Sequence, residues 1–414
     1  MNKKLIKLVC VANKTPYYRK LWGNIENISD FPFEKLHLSD KKLFDSKNIK
    51  KSLAVEENQI SHCYFSAGTT GHPKMIPFTE KEWRDRSFYR KRCYELAGIN
   101  KKSRVAVLLP FGPWIAGPSA QSALMDLGCT VFPMGLMSDE NEINGLFSII
   151  SRHNIDTIVT APSFLQMFLG LHNKCGDKIC IKKIITSGEF ISIALREKIY
   201  KSFGAEVYSS YAASESFIGI ECYNHDGFHY DPKYLLVETL NQNTYLPDKN
   251  TGLIVITALT SEAVPLLRYS TSDLGVIDYS PCVCGSNWPK IIWRGRAQET
   301  FVVAGAVNVY SYQIRNALSK SRVSITRCEI EIVDNGAGRD HIIFSLFTSD
   351  IISMRLNVIK REIKQLIDNM SMDFNDGICY KIVSTEINLK HENIVDKNIK
   401  TKPIKINDHR EYTR

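Results

Sequence analysis

The sequence predicts an α/β protein. It has a large N-terminal domain with mostly parallel sheets plus a β-meander, and a small α+β C-terminal domain joined by a hinge. Three observations carry that expectation. Short apolar runs rich in β-branched residues alternate with helix-like stretches at roughly 25-residue intervals, as βαβ units do. After Tyr230 the texture shifts to strand-like runs separated by Gly, Pro and Asp turns. Beyond Arg296 it shifts again to a short mixture of strand and helix, so the expected domains are 1–296 and 297–414.

The elements follow in order. Residues 1–12 have a basic opening and an apolar run that Lys7 interrupts, with no small-residue cleavage site after it. That pattern predicts an amphipathic helix, not a leader, and a cytoplasmic protein. The parallel strands are expected at Val105–Leu109, Thr130–Pro133, Thr157–Thr160, Lys183–Thr186 and Glu206–Tyr208. The intervening helices are expected at Asn141–His153, Ser163–His172 and Ser192–Phe203. The meander strands are Leu235–Leu240, Gly252–Leu259 and Leu274–Tyr279. In the last domain Ile342–Phe347 reads as a strand. Ser353–Met370 reads as an amphipathic helix, with Met354, Leu356, Ile359, Ile363 and Ile367 on one face.

Bulk properties narrow the function. The chain has 414 residues, 44% of them hydrophobic and 23% charged, with a formal net charge of +9. That is a globular composition with enough apolar residues for at least one sizeable core. The basic residues are scattered and form no nucleic-acid motif, so no nucleic-acid partner is expected. The surplus charge suits either a plain basic surface or an anionic ligand. The odd count of 11 cysteines suits free thiols, not a disulfide framework. No apolar run approaches the roughly 20 residues of a membrane span.

The most informative segment is Tyr64-Phe65-Ser66-Ala67-Gly68-Thr69-Thr70-Gly71-His72-Pro73-Lys74. A strand-like His62–Phe65 leads in. Gly68 and Gly71 let backbone N–H groups approach phosphate oxygens without an intervening Cβ. Ser66, Thr69 and Thr70 offer hydroxyl donors, and Lys74 adds a point charge. The Walker A pattern is not matched. Thr79-Glu80-Lys81-Glu82 follows as a capping box that opens a helix. Alone, such a loop is as readily an ordinary polar turn.

The full stretch resembles the phosphate loop of the adenylate-forming superfamily, Y-x-S-S/A-G-T-T-G-x-P-K, without a gap. Other segments resemble that superfamily's motifs in the same order. Tyr211-Ala212-Ala213-Ser214-Glu215 is similar to Y-G-x-S/T-E, Tyr269–Gly275 to Y-R-T-G-D-L-G, and Gly295–Glu299 to the G-R-x-D-D hinge. Lys402, eight residues before Arg410, is similar to the lysine of the terminal G-K-x-x-R-V-x-D-x-R. Ser187-Gly188-Glu189, Glu221-Cys222, Val237-Glu238 and Pro281-Cys282-Val283-Cys284-Gly285 resemble the phenylacetate–coenzyme A ligase branch.

The resemblance implies an ATP-dependent enzyme that converts a carboxylic acid to its acyl-AMP and passes the acyl group to a thiol. It implies that Ser66–Lys74 cradles the phosphates and that Glu215 holds Mg2+, with Ser214 contacting phosphate beside Tyr211. Asp273 would accept from both ribose hydroxyls, and Arg296 would contact phosphate or ribose. Lys402 would act in adenylation, and rotation about Gln298 would then withdraw it. Gly188 and Glu189 would lie beside the nucleotide and substrate. Several positions depart from the pattern. Ala212 and Ser272 stand where glycine is usual, Gln298 where Asp or Lys is usual, and Thr401 precedes Lys402 in place of glycine. The segment after Gly305 is one residue longer. The hinge and Gly305 changes bear on thiol transfer more than on adenylation.

The acid pocket is expected from Pro110–Pro118 and Met134–Met137, with Phe111, Trp114, Met134 and Gly135 as contacts. These segments are apolar and aromatic, which favours a small aromatic acid over a free amino acid. The resemblance implies coenzyme A, or a pantetheinyl group on an acyl carrier protein, as the acceptor. Three classes stay open: an aryl–coenzyme A ligase, a stand-alone enzyme loading a carrier or other acceptor, and a nucleotide-binding homologue without full catalysis. No membrane partner is expected, and the expected state is a monomer or a homodimer. Separately, Cys222, His229, Cys282 and Cys284 sit in Gly- and Pro-rich turns and could satisfy tetrahedral Zn2+, with His225 a spare.

Overall fold

The computed structural model describes residues 3–66, 73–137, 139–175, 179–242, 244–248, 250–303, 307–320, 325–334, 340–348, 356–372, 384–391 and 404–408. The chain forms two compact units. The first is Met1–Ile191, Leu195–Thr271 and Gly275–Trp293; the second is Ser192–Ala194, Ser272–Leu274 and Arg294–Arg414.

In the first unit, α1 (Lys3–Ala12) is followed by α2 (Pro16–Trp22). Thr15 caps α2 by accepting from the Tyr18 amide, with Pro16 at its first position. A hairpin of β1 (Ile60–Ser66) and β2 (Lys74–Thr79) then leads into α3 (Glu80–Leu96). Next come β3 (Arg104–Leu108), α4 (Ala116–Asp126), β4 (Thr130–Pro133), α5 (Glu140–Arg152), β5 (Thr157–Thr160), α6 (Pro162–Cys175), β6 (Lys183–Ser187), α7 (Ile193–Phe203) and β7 (Glu206–Ala212). The strands β4, β3, β5, β6 and β7 lie side by side and parallel.

Successive residues of these strands enter different cores. Ile184 packs with Leu146, Phe147 and Phe168 on one face, while Ile185 packs with Tyr94, Leu124 and Phe217 on the other. Ala106 and Val107 divide in the same way. A parallel strand covered on both faces reads as an unbroken apolar run, which is why these strands are legible in sequence. On α5, Asp139 caps the first turn, and Ile143, Leu146, Phe147 and Ile150 form the buried stripe.

The chain continues as β8 (Phe217–Glu221), β9 (Phe228–His229), β10 (Leu235–Leu240), β11 (Gly252–Ala258), β12 (Tyr269–Asp278) and β13 (Lys290–Arg296). The expected meander is found as the consecutive neighbours β10, β11, β12 and β13. Its strands extend the parallel sheet into one sheet ordered β10-β11-β12-β13-β9-β8-β7-β6-β5-β3-β4. The bridging strand β8 is antiparallel to β7 and has no counterpart in the sequence reading. The strand β12 begins five residues earlier than expected, because the polar stretch Tyr269–Asp273 is held by sheet pairing and not by apolar alternation.

The second unit contains β14 (Phe301–Val303), β15 (Val307–Val309), α8 (Ser311–Lys320), β16 (Ile325–Asp334), β17 (Asp340–Thr348), α9 (Leu356–Met372), β18 (Ser384–His391) and β19 (Ile404–Asp408). Its four-stranded sheet is ordered β18-β17-β16-β19. The core comprises Ile330, Phe344 and Leu346 with Ile359 and Ile363 of α9. Met354 lies outside the described residues. Among the described residues no helix is long and apolar enough to cross a membrane.

Candidate active site

The hairpin register pairs Ser66 with Lys74, so the two ends of the glycine-rich loop are fixed opposite each other. Lys74 reaches Glu215, which lies between β7 and β8, and the two form an ion pair. The Glu215 side chain is only 2% exposed. A carboxylate buried to that degree needs partners. A second one is the Tyr269 hydroxyl, which donates to Glu215 Oε1 at 2.8 Å and lies 3.4 Å from Lys74 Nζ. Burial, then the Glu215 charge, holds the Tyr269 hydroxyl well above its ordinary pKa, so it remains a donor at neutral pH.

Arg86 of α3 holds the backbone of Ser214 and Glu215. Its guanidinium donates to the carbonyls of Glu215 at 3.0 Å and Ser214 at 3.4 Å, and stands 5.3 Å from the Phe78 ring centroid. Burial, then the neighbouring Arg90, pulls its pKa down to about 10. One turn earlier, Glu82 is also buried. Thr79 caps α3 by accepting from the Glu82 amide at 3.1 Å. The return half of the expected capping box is missing, because the Glu82 carboxylate instead accepts from the Ala263 amide at 3.0 Å. Burial pushes Glu82 up to about 7, against those amide bonds and Arg86. Glu82, Arg86 and Glu215 line one cavity with Phe78, Tyr89 and Phe217.

The remaining expected residues are placed as follows. Gly68, Thr69, Thr70, Gly71 and Lys402 lie outside the described residues, as do Gly305, Thr401 and Arg410. Tyr211 packs its ring 5.5 Å from Phe228. Gly188 follows β6 with φ +86°, a conformation that favours glycine. The Glu189 carboxylate accepts from the Ser163 amide at 2.9 Å and its hydroxyl at 2.8 Å, at the start of α6.

In the second unit, Arg296 Nε is 3.1 Å from Asp273 Oδ1, and Asp273 is buried while Arg296 is largely exposed. Ser272, where the resemblance has glycine, has φ +61°. The departure in sequence therefore carries a left-handed serine.

Of the acid-pocket residues, Trp114 is 39% exposed. Its loop is fastened to β1 by the Phe65 amide donating to Pro113 O at 2.8 Å. Phe111 packs partly against the core and over Gly117, where any Cβ would collide with its ring. Met134 packs partly against the opposite core, and Gly135 has φ +77°.

Cys222, His229, Cys282 and Cys284 converge, with their ligand atoms all within 4.8 Å of one another. His225 does not join them; its Nδ1 faces Glu221 Oε2 at 3.3 Å. The sequence reading missed Tyr269 as a partner of Glu215, although its motif contains that residue. It missed Arg86 too, whose polar face on α3 gives no apolar period to read.

A family model described as AMP-binding enzyme matches residues 19–257. Phenylacetate-coenzyme A ligase of Thermus thermophilus is 25% identical over 338 residues, covering 76% of this chain and 74% of that protein. The Escherichia coli phenylacetate-coenzyme A ligase is 25% identical over 323 residues, covering 75% and 71%. Among solved structures, 2-hydroxyisobutyryl-CoA ligase in its postadenylation state with 2-HIB-AMP superposes with a TM-score of 0.76 at 16% identity. The match covers 98% of this chain and 88% of that one. It establishes the two-part α/β fold.

Proposed function

Because the chain belongs to the AMP-binding enzyme family, in the phenylacetate–coenzyme A ligase-like branch of adenylate-forming enzymes, we propose that it activates a small aromatic carboxylic acid as acyl-AMP and transfers the acyl group to coenzyme A. The observation that carries this reading is the convergence of Lys74, Glu215 and Tyr269 at the foot of the glycine-rich hairpin.

In the first step the acid's carboxylate attacks the α-phosphate of ATP, and pyrophosphate leaves. The protein's task is positioning and charge neutralisation. Ser66 and Lys74 bracket the loop whose Gly68, Thr69, Thr70 and Gly71 would cradle the phosphates. Glu215 presents an oxygen ligand of the kind magnesium takes, and Tyr269 and Arg86 fix its side chain and backbone. Bound magnesium would neutralise phosphate charge. Asp273 would accept the ribose hydroxyls, its orientation set by Arg296. Lys402, in the 297–414 domain, would neutralise charge developing between the acid and the α-phosphate. Trp114 and Phe111, on a loop tied to β1, would line the acid site together with Met134 and Gly135.

Pyrophosphate exchange with a panel of acids tests the first step. Exchange with aromatic acids supports the proposal, and none with any acid overturns it in favour of a non-catalytic homologue. Mass spectrometry of the product separates the acceptors. An acyl-coenzyme A confirms the second step, and acylation of a pantetheinylated carrier alone replaces it.

A further inference from the structure

We propose that Cys222, His229, Cys282 and Cys284 bind one zinc ion in a closed structural centre of the first unit. The spacing of the ligand atoms matches that metal. Tetrahedral zinc with Zn–S of about 2.3 Å and Zn–N of about 2.05 Å places two sulfurs about 3.8 Å apart and a sulfur and nitrogen about 3.6 Å apart. In the protein, Cys222 Sγ and Cys282 Sγ are 3.7 Å apart, and Cys284 Sγ and His229 Nε2 are 3.5 Å apart. A disulfide needs sulfurs about 2.05 Å apart, and these two are not bonded.

The surroundings prepare the ligands. His229 Nδ1 donates to the Trp288 carbonyl at 2.9 Å. That bond assigns the ring proton to Nδ1 and leaves the Nε2 lone pair facing the thiols, the arrangement found behind metal-bound histidines. The imidazole is fully buried, and Cys222 and Cys282 are buried with it. The Cys282 carbonyl accepts from the Gly285 amide at 3.0 Å, closing the C-x-C-G turn, and Gly285 has φ +79°. Three thiolates and zinc leave one net negative charge. Lys290, paired across the sheet with His229, lies beside the cluster and is itself held by Asp226 at 2.6 Å and Asp278 at 3.3 Å.

With four protein ligands, no position stays open for substrate, so the ion's task is mechanical. It ties the β8–β9 turn to the β12–β13 connection. Those strands have the proposed magnesium ligand and its positioning partner at their other ends: Glu215 lies just before β8, and Tyr269 opens β12. The metal would hold the distant ends of both in register.

Elemental analysis of the full chain, purified without chelator under reducing conditions, should find about one zinc per chain. Titrating the native thiols with a mercurial should release that zinc in step with thiol modification, which requires no variant to fold. C282S and H229Q should retain less than about a tenth of it. X-ray absorption should show three sulfurs near 2.3 Å and one nitrogen. Zinc below about a tenth per chain, both as purified and after reconstitution with Zn2+, overturns the proposal. So does a different ligand count, or a Cys222–Cys282 disulfide in metal-free protein. These readouts do not involve adenylation, so the proposal can fail while the enzymatic reading stands.

Discussion

Replacing Glu82 by Gln should change how stability depends on pH. Glu82 is 8% exposed, and burial raises its carboxyl to about 7 from an ordinary 4.5. Between those values the folded chain keeps a proton that the unfolded chain has lost. Stability therefore falls as pH rises from about 4.5 through 7, and the loss is complete above the folded value. A difference of about 2.5 units corresponds to about 3 kcal/mol. Gln cannot titrate, yet it can still accept from the Ala263 amide. E82Q should match the wild type in stability near pH 4.5 and exceed it by about 3 kcal/mol near pH 8. All five tryptophans precede Arg294, so tryptophan fluorescence reports the first unit alone. Thermal midpoints of both proteins should be read at several pH values, because the other titrating groups cancel in the comparison. At about 2–4 °C per kcal/mol the gap should open to about 6–12 °C. A gap that stays constant across this range would refute the buried, protonated Glu82.

Three further outcomes follow from the same geometry. Y269F removes one donor from buried Glu215, and a hydrogen bond to a charged group contributes about 1.5–3 kcal/mol. Pyrophosphate exchange should fall roughly tenfold or more, and an unchanged rate would remove Tyr269 from the site. S272G should relieve the left-handed serine and raise stability by about 0.5–1 kcal/mol in a thermal melt. A lower midpoint would mean that the serine is unstrained. K402A should abolish exchange with free acid while ATP binding, measured by calorimetry, stays largely intact; retained exchange removes Lys402 from adenylation.

Much was legible in sequence because it is local. The parallel strands are short apolar runs covered on both faces, and Thr157–Thr160 is both the expected and the observed range of β5. The order of the motifs around Ser66–Lys74, Glu215, Asp273 and Lys402 pointed to the family before any coordinate did. The cluster of Cys222, His229, Cys282 and Cys284 could be suspected from residue type and turn context alone.

What only the tertiary structure decided are the partners across the sheet. Glu215 is 54 positions from Tyr269, 129 from Arg86 and 141 from Lys74, and no periodicity encodes such pairings. They depend on strand order, which places β8 between the parallel half and the meander half. The same cause explains Glu82. A local rule turns its carboxylate back onto its own helix cap, but the Ala263 amide, brought alongside by folding, takes it instead. Local chemistry set the elements and motifs, and long-range packing chose which buried charges meet.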